Sequence, residues 1–123
     1  MTVTGPDFLA LQVRDLDRAA SFYEAHLGLR RLPANPPGAV VFDTAPISFA
    51  VREPLPGVDL DAVHPRPGVG VALWLHANDA QALHDQLVGD GVPIVTAPFD
   101  GPFGRTFAFS DPDGYAITIH DKA

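Results

Sequence analysis

The sequence contains no cysteine, few basic residues and no long apolar run. Without cysteine there is no disulfide framework, no thiolate metal site and no cysteine nucleophile, and a reducing compartment is expected. Only 8 residues are Lys or Arg and the net charge is −7, so the clustered basic side chains that bind nucleic-acid phosphates are missing. No segment approaches the roughly 20 apolar residues that cross a bilayer, and no signal-like N-terminal segment is found. These absences predict a cytoplasmic protein with no nucleic-acid and no membrane partner.

The chain length bears on the number of domains, and the net charge bears on the role of the surface. A chain of 123 residues is long enough for one domain that buries a hydrophobic core without disulfides or metal. The acidic surface either keeps the protein dissolved or attracts cationic ligands, and the sequence leaves both interpretations open.

The clearest local pattern lies near the C-terminus, between Ser110 and Asp121. Residues 111–114, with the sequence DPDG, are typical of a tight turn, because Pro fixes φ, Asp caps its own backbone and Gly accepts a positive φ. The apolar run Phe107–Phe109 precedes the turn. After it, alternation places Ile117 and Ile119 on one face of a strand and Ala116, Thr118 and His120 on the other. The pattern predicts a β-hairpin.

The same order of elements occurs twice along the chain. The first half predicts a strand at 8–13, a helix capped by Asp15 or Asp17 and ended by Gly28, and strands at 29–32, 39–42 and 47–52. The second half predicts a strand at 69–77, a helix capped by Asn78 or Asp79 and ended by Gly91, and strands at 93–97, 105–109 and 115–121. The caps Asp15 and Asp79 are 64 residues apart. The chain therefore reads as two βαβββ units joined by a Pro- and Gly-rich linker.

Two segments resemble a known superfamily. LALQVRDLDRAASFYEAHLGL, at residues 9–29, is similar to the opening of the vicinal oxygen chelate superfamily, which includes glyoxalases, bleomycin-resistance proteins and extradiol dioxygenases. Residues 104–121 with the DPDG turn are similar to its closing hairpin. The resemblance implies an α+β fold in which two βαβββ modules form a curved-sheet cleft, often in a homodimer. We expect a single domain over 7–122, with module 1 at about 7–53, the linker at about 54–68 and module 2 at about 69–121.

The resemblance also implies where metal ligands would lie. Metal-dependent members carry His, Gln or Glu at four strand positions, and this chain has Phe8, Ser48 or Ala50, Ala72 and Thr118 there. None of these is a usual metal ligand, because divalent cations need nitrogen or oxygen donors such as imidazole and carboxylate. We therefore expect no metal and no other cofactor.

Histidines offer an alternative site. His76 and His120 fall on the cleft-side parity of their strands and would need Asp121 or Glu53 as a third metal ligand. Alternation points Asp121 away from His120, which weakens this set. The two imidazoles are otherwise weak candidates for acid–base catalysis, or simply polar groups near strand ends. The other three histidines, His26, His64 and His84, are expected at the surface.

The remaining cleft-side residues predict a pocket for a planar or partly apolar small molecule. Trp74, the only tryptophan, would stack on a ligand ring or pack on the sheet face. The loop 98–105 would close over a ligand or form a surface turn, and Arg52 would reach the cleft or pair with a carboxylate such as Glu53. The predicted ligand-binding residues are Phe8, Gln12, Ser48, Ala50, Arg52, Ala72, Trp74, His76, Phe103, Thr118 and His120.

These observations and the resemblance lead to one functional expectation with two rivals. The expected function is a metal-free small-molecule binding protein, a homodimer that sequesters an antibiotic or a similar aromatic or cationic ligand and so confers resistance. One rival is a metal-dependent lyase, dioxygenase or epimerase with a relocated metal site. The other is a regulatory module that uses the same cleft.

Overall fold

The computed structural model describes residues 1–122. The chain divides into two compact units, one of Met1–Leu60 and one that begins at Asp61. This boundary lies within the predicted linker, where a short 3₁₀ helix spans Leu60–Ala62.

The first unit is a three-stranded sheet with one helix. Its elements are β1 (Phe8–Gln12), α1 (Leu16–Leu27), β2 (Ala39–Phe42) and β3 (Ser48–Arg52). The strand order is β1-β3-β2, with β3 parallel to β1 and antiparallel to β2. The parallel pairing is possible because α1 and the segments around it provide the long crossover that parallel strands require.

Helix α1 begins and ends where its capping residues predict. The carboxylate of Asp15 accepts a hydrogen bond from the Arg18 amide at 3.1 Å, and Gly28 ends the helix with a φ of 70°. Tyr23 is fully buried, and its ring lies 5.2 Å from that of Phe49 in an edge-to-face contact. The predicted apolar helix face therefore packs on the sheet and forms the core of this unit.

The second unit contains four strands and one helix. Its elements are β4 (Leu73–His76), α2 (Ala80–Gly89), β5 (Ile94–Gly101), β6 (Gly104–Ser110) and β7 (Ala116–His120). The strand order is β4-β7-β6-β5, in which β4 runs parallel to β7 and the other pairs are antiparallel. The repeated α+β organisation that the sequence predicts is confirmed. Neither described helix has the length and apolar character of a membrane span.

The DPDG turn is closed by both backbone and side-chain hydrogen bonds. The Gly114 amide donates to the Asp111 carbonyl oxygen at 3.0 Å, and the Asp111 amide donates to the Tyr115 carbonyl oxygen at 3.0 Å. Oδ1 of Asp111 accepts from the amides of Asp113 and Tyr115, both at 2.9 Å. The predicted hairpin is confirmed, with the Asp111 carboxylate at its centre.

The predicted strand at residues 29–32 is wrong except for one bridge. Arg31 pairs with Phe42, and hydrogen bonds from Leu32 to Val41 and from Asp43 to Arg30 flank that pair. Pro33 has no amide hydrogen to continue the ladder. The Val41 amide donates to Oδ1 of Asn35 at 2.8 Å, so it is not available to a longer strand pairing.

Two predicted strands have different lengths in the structure. The predicted strand at 69–77 starts only at Leu73, because the Val71 amide donates to the Gly68 carbonyl oxygen at 2.9 Å and forms a turn. Strand β5 is longer than predicted and runs through Pro98 to Gly101. It can include a proline because β5 is an edge strand with register shifts on both sides of Thr96.

Candidate functional site

The two faces of the second sheet have different surroundings. One face carries Phe107, Phe109, Ile117 and Ile119, all buried, and packs against α2. The register places a second set on the opposite face, where Trp74 is beside Thr118 and His76 is beside His120. The alternation in β7 that the sequence predicts is therefore present.

Four rings on this second face form one group, in which His120 contacts each of the other three. The Trp74 and Phe103 centroids are 5.4 Å apart in an edge-to-face arrangement, and the Trp74 and His120 centroids are 5.8 Å apart. His76 lies 5.6 Å from His120, and Phe103 lies 6.2 Å from His120. We call Trp74, His76, Phe103 and His120 the aromatic face.

The largest rings of the aromatic face are accessible. Trp74 is 44% exposed and Phe103 is 54% exposed. Large apolar rings that remain half exposed while touching each other offer hydrophobic area and π surface to a further ring. Thr118, next to Trp74 in the register, adds a hydroxyl group beside this area. The arrangement can bind an aromatic molecule without any covalent chemistry.

Phe103 reaches this face from a hairpin rather than from a loop. The predicted loop at 98–105 is wrong, because Asp100 pairs with Arg105 and Gly101 with Gly104 across β5 and β6. Only Pro102 and Phe103 remain as the two-residue connection. Phe103 is therefore fixed at the tip of a two-stranded ladder.

The surroundings of His76 and His120 bear on the alternative metal site. Within residues 1–122 no group of three or more His, Cys, Asp or Glu side chains is arranged to hold a metal ion. Nδ1 of His120 is buried without a hydrogen-bond partner among those residues. Metal-binding imidazoles almost always donate their second N–H to an acceptor that fixes the ring, and Nδ1 of His120 has no such acceptor among residues 1–122. Glu53, one proposed third ligand, follows β3 in the other unit.

The strand register shows which residues of the two units correspond to each other. Ala10 and Trp74 are 64 residues apart, the same offset as the helix caps, and they pair with Ala50 and Thr118 respectively. The counterpart of Thr118 in the first unit is therefore Ala50 rather than Ser48. At the four positions where the resemblance places metal ligands, this chain offers a phenyl ring, two methyl groups and one weakly donating hydroxyl group, from Phe8, Ala50, Ala72 and Thr118, and this set does not fit a metal ion.

The first unit brings together its own set of predicted residues. On the face of its sheet, Phe8 pairs with Ser48 and Gln12 pairs with Arg52. Phe8 is 52% exposed. Gln12 accepts a hydrogen bond from the Leu55 amide at 2.8 Å, and Nε of Arg52 donates to the Glu53 carbonyl oxygen at 3.0 Å. These bonds hold the start of the linker segment to the strand ends.

Ala72 and two further histidines complete the placement of the predicted residues. Ala72 is exposed and lies just before β4. His64 is exposed as expected, and His26 packs its ring 4.9 Å from that of Phe22.

The expectation of a solvated His84 is wrong. Its ring lies edge-to-face 5.3 Å from Phe107, since α2 packs on that face of the sheet. Nδ1 of His84 lies 2.9 Å from a carboxylate oxygen of Asp85. The bonds from His84 and then Gln81 hold the pKa of the Asp85 carboxyl below its ordinary value.

Asp121 has a role that the sequence interpretation missed. The sequence indicates only a possible metal ligand, whereas in the structure Oδ1 accepts from the Arg105 amide at 2.9 Å and Oδ2 accepts from the Ala80 amide at 3.3 Å. The available signal was its position directly after the last strand, where a carboxylate can reach the amides at the start of neighbouring elements.

Fold and residue pattern together define a class of protein. The sequence profile of the Glyoxalase/Bleomycin resistance protein/Dioxygenase superfamily matches residues 5–119. The chain belongs to this superfamily.

Solved structures from bacteria show the same fold. TnmS3, an antibiotic binding protein from Streptomyces sp. CB03234, is 24% identical with a TM-score of 0.76, and the match covers 100% of this chain and 99% of that one. A glyoxalase/bleomycin resistance protein from the same organism is 26% identical with a TM-score of 0.73 and covers 95% and 100%. A lactoylglutathione lyase from Agrobacterium tumefaciens is 20% identical with a TM-score of 0.69 and covers 98% and 96%. The comparison with curated proteins gives no match.

Proposed function

We propose that this protein binds a planar aromatic small molecule without a metal and sequesters it, and that the ligand is an antibiotic or a molecule of similar chemistry. The observation that carries the proposal is the pair of half-exposed rings, Trp74 and Phe103, in edge-to-face contact above His120. A flat ligand would stack on the exposed part of these rings. One such contact contributes about 0.5–1.5 kcal/mol beyond the burial of its area.

The charge of the second unit favours a cationic ligand. From residue 61 onward the sequence has eight acidic and three basic residues, so this half carries a formal charge of −5 out of the total of −7. A surplus of one sign raises the local concentration of the opposite sign and speeds association. We therefore expect a planar aromatic cation to bind more tightly than a neutral ring of the same size.

The likeness to TnmS3 and to the bleomycin-resistance relative agrees with this proposal. Both are similar in fold over nearly the whole chain, and TnmS3 is described as an antibiotic binding protein. The residues at the superfamily's metal positions support the metal-free part, because Phe8, Ala50, Ala72 and Thr118 provide no strong donor.

Isothermal titration calorimetry against a panel of antibiotics tests the proposal. The panel contains doxorubicin as a planar aromatic cation, mitomycin C as a small quinone and bleomycin as a glycopeptide with an aromatic tail. We expect dissociation constants in the micromolar range or below for at least one aromatic cation. Absence of binding at high micromolar concentration across the panel would contradict sequestration.

Variants of the aromatic face separate a specific site from general adsorption. Trp74→Ala should weaken binding about three- to tenfold, while Trp74→Phe keeps a ring and should lose less than threefold. Val88 in α2 is a matched control, because its side chain is 52% exposed and lies outside the aromatic face. Val88→Ala should leave binding unchanged. Phe8→Ala tests whether the predicted residues of the first unit also contribute.

The rival function is an enzyme with a relocated metal. The adjacent imidazoles of His76 and His120 are the observation in its favour. Elemental analysis of protein purified without chelators decides between the two, since a stoichiometric divalent metal that disappears in His76→Ala would support the enzyme.

We also propose a cytoplasmic homodimer, and light scattering coupled to size-exclusion chromatography should give twice the 13.1 kDa chain mass.

A further inference from the structure

The turn that carries Phe103 is attached to the chain segment that follows β7. The Lys122 amide donates to the Phe103 carbonyl oxygen at 3.1 Å, and Nζ of Lys122 lies 3.5 Å from the Pro102 carbonyl oxygen. Oδ1 of Asp121 accepts from the Arg105 amide at 2.9 Å. We call these bonds between residues 121–122 and residues 102–105 the clasp.

Gly104 allows the two segments to come this close. It has a φ of +88°, which L side chains rarely adopt. A Cβ added there would collide with Oδ1 of Asp121 and would lie 2.9 Å from the Lys122 amide nitrogen. The close approach of the turn and the chain end therefore depends on the missing side chain.

The clasp also fixes the turn relative to α2. The second oxygen of Asp121 accepts from the Ala80 amide in the first turn of the helix at 3.3 Å. Nε of Arg105 donates to Oε1 of Gln81 in the same helix at 2.9 Å. The carboxylate of Asp121 thus joins the β6 start to the helix start, directly beside His120.

We propose that Asp121 is a positioning residue that holds the Phe103 ring against Trp74 and His120 and so sets the geometry of the aromatic face. Without the carboxylate, the hairpin tip keeps its ladder to β5 but loses the bond from Arg105, and Phe103 moves more freely. The effect on ligand binding rests on the function proposed above, whereas the effect on the free protein does not.

The free protein gives the first test. Trp74 is the only tryptophan, so acrylamide quenching of its fluorescence reports how well Phe103 covers it. Asp121→Ala should raise the quenching constant about twofold and should speed hydrogen exchange at the Arg105 amide. Asp121→Asn keeps an acceptor oxygen and should restore both values to within about 20% of wild type.

A matched control removes another carboxylate from the same helix start. Asp79 caps α2 by accepting from the Ala82 amide at 3.0 Å, and within residues 1–122 it makes no hydrogen bond to the Phe103 turn. Asp79→Ala loses the same charge and weakens the same helix, yet it should leave the quenching constant unchanged. If Asp79→Ala raises quenching as much as Asp121→Ala, the effect is general destabilisation and the proposal is wrong.

Binding of doxorubicin gives the second test. Asp121→Ala should raise the dissociation constant about three- to tenfold, the factor that a lost ring contact produces. In a Phe103→Ala background the same substitution should add less than twofold, because Asp121 acts through that ring. Equal weakening in both backgrounds would overturn the positioning role.

The two tests keep the proposals separate. If wild-type protein binds no doxorubicin, the proposed ligand class fails, and the quenching and exchange data still decide on the clasp. If Asp121→Ala does not fold, Asp121→Ser replaces it, because the shorter side chain cannot reach the Arg105 and Ala80 amides together. Unchanged quenching in a folded variant of either kind would refute the clasp.

Discussion

The carboxylate of Asp111 offers the sharpest test of what holds the second unit together. Its side chain is buried, with only 4% exposed, and its Oδ1 accepts two backbone amide bonds within the DPDG turn. Asp111→Ala removes this one acceptor oxygen and both of the hydrogen bonds that it accepts.

The magnitude follows from the number and kind of these bonds. A hydrogen bond to a charged group contributes about 1.5–3 kcal/mol, so two of them give about 3–6 kcal/mol. The alanine variant also avoids the cost of burying a carboxylate, which moves the expected loss towards the lower end, about 3 kcal/mol. Because a domain has a free energy of unfolding of about 5–15 kcal/mol, this loss is a large fraction of the total.

Urea denaturation followed by the fluorescence of Trp74 measures this loss in the unit that contains the turn. Asp111→Asn is the control, because it keeps an oxygen at the same place and should lose about half as much or less. A loss below about 1 kcal/mol for Asp111→Ala would refute the assignment of the carboxylate as the centre of the turn.

Three further predictions concern other positions. Gly28→Ala should lower the free energy of unfolding by about 1 kcal/mol in a urea titration. Backbone strain is the only cause, because φ is +70° and nothing lies within 4 Å of an added Cβ. Gly28→Asn should lose less, since asparagine tolerates this conformation better. Phe107→Ala should lose about 3–5 kcal/mol by urea denaturation, because its fully buried ring leaves a cavity against α2. The hydrogen bond from Arg31 holds the pKa of Glu24 below its ordinary value of 4.5, so the contribution of this pair is present above pH 4.5 and disappears as the pH falls through the lowered pKa. Glu24→Gln should remove that part of the acid sensitivity in thermal melts recorded from pH 6 to pH 3.

Much of the fold was predictable because local signals and packing agree. Asp15 and Asp79 cap helices that start where the apolar periodicity starts, and both caps accept the expected amide. The strand at 29–32 failed because the Leu29 amide donates to the Tyr23 carbonyl oxygen at the end of α1, and the apolar pattern does not show that bond. Strand β5 was underestimated for the opposite reason, since Pro98 reads as a breaker unless its edge position is known.

The candidate site was predictable only where the alternation of side chains along a strand determines which face of the sheet a residue lies on. The placement of Trp74 and His120 on one face follows from the two-residue period of β4 and β7. The position of Phe103 does not, because it depends on a hairpin register and on bonds to residues 121–122 that are distant in sequence. The partial burial of His84 depends on how α2 rotates over Phe107, and one sequence does not determine that rotation.

Strand β5 protects the outer rim of its sheet from growth by strand addition. Pro98 supplies no donor, the register shifts around Thr96 bend the rim, and Asp100 places a charge near its end. A strand from a second copy could not pair along the whole length of β5, because its backbone amides and carbonyls do not form a straight row. This edge of the sheet therefore resists cross-β stacking, and it lies next to the hairpin tip that presents Phe103.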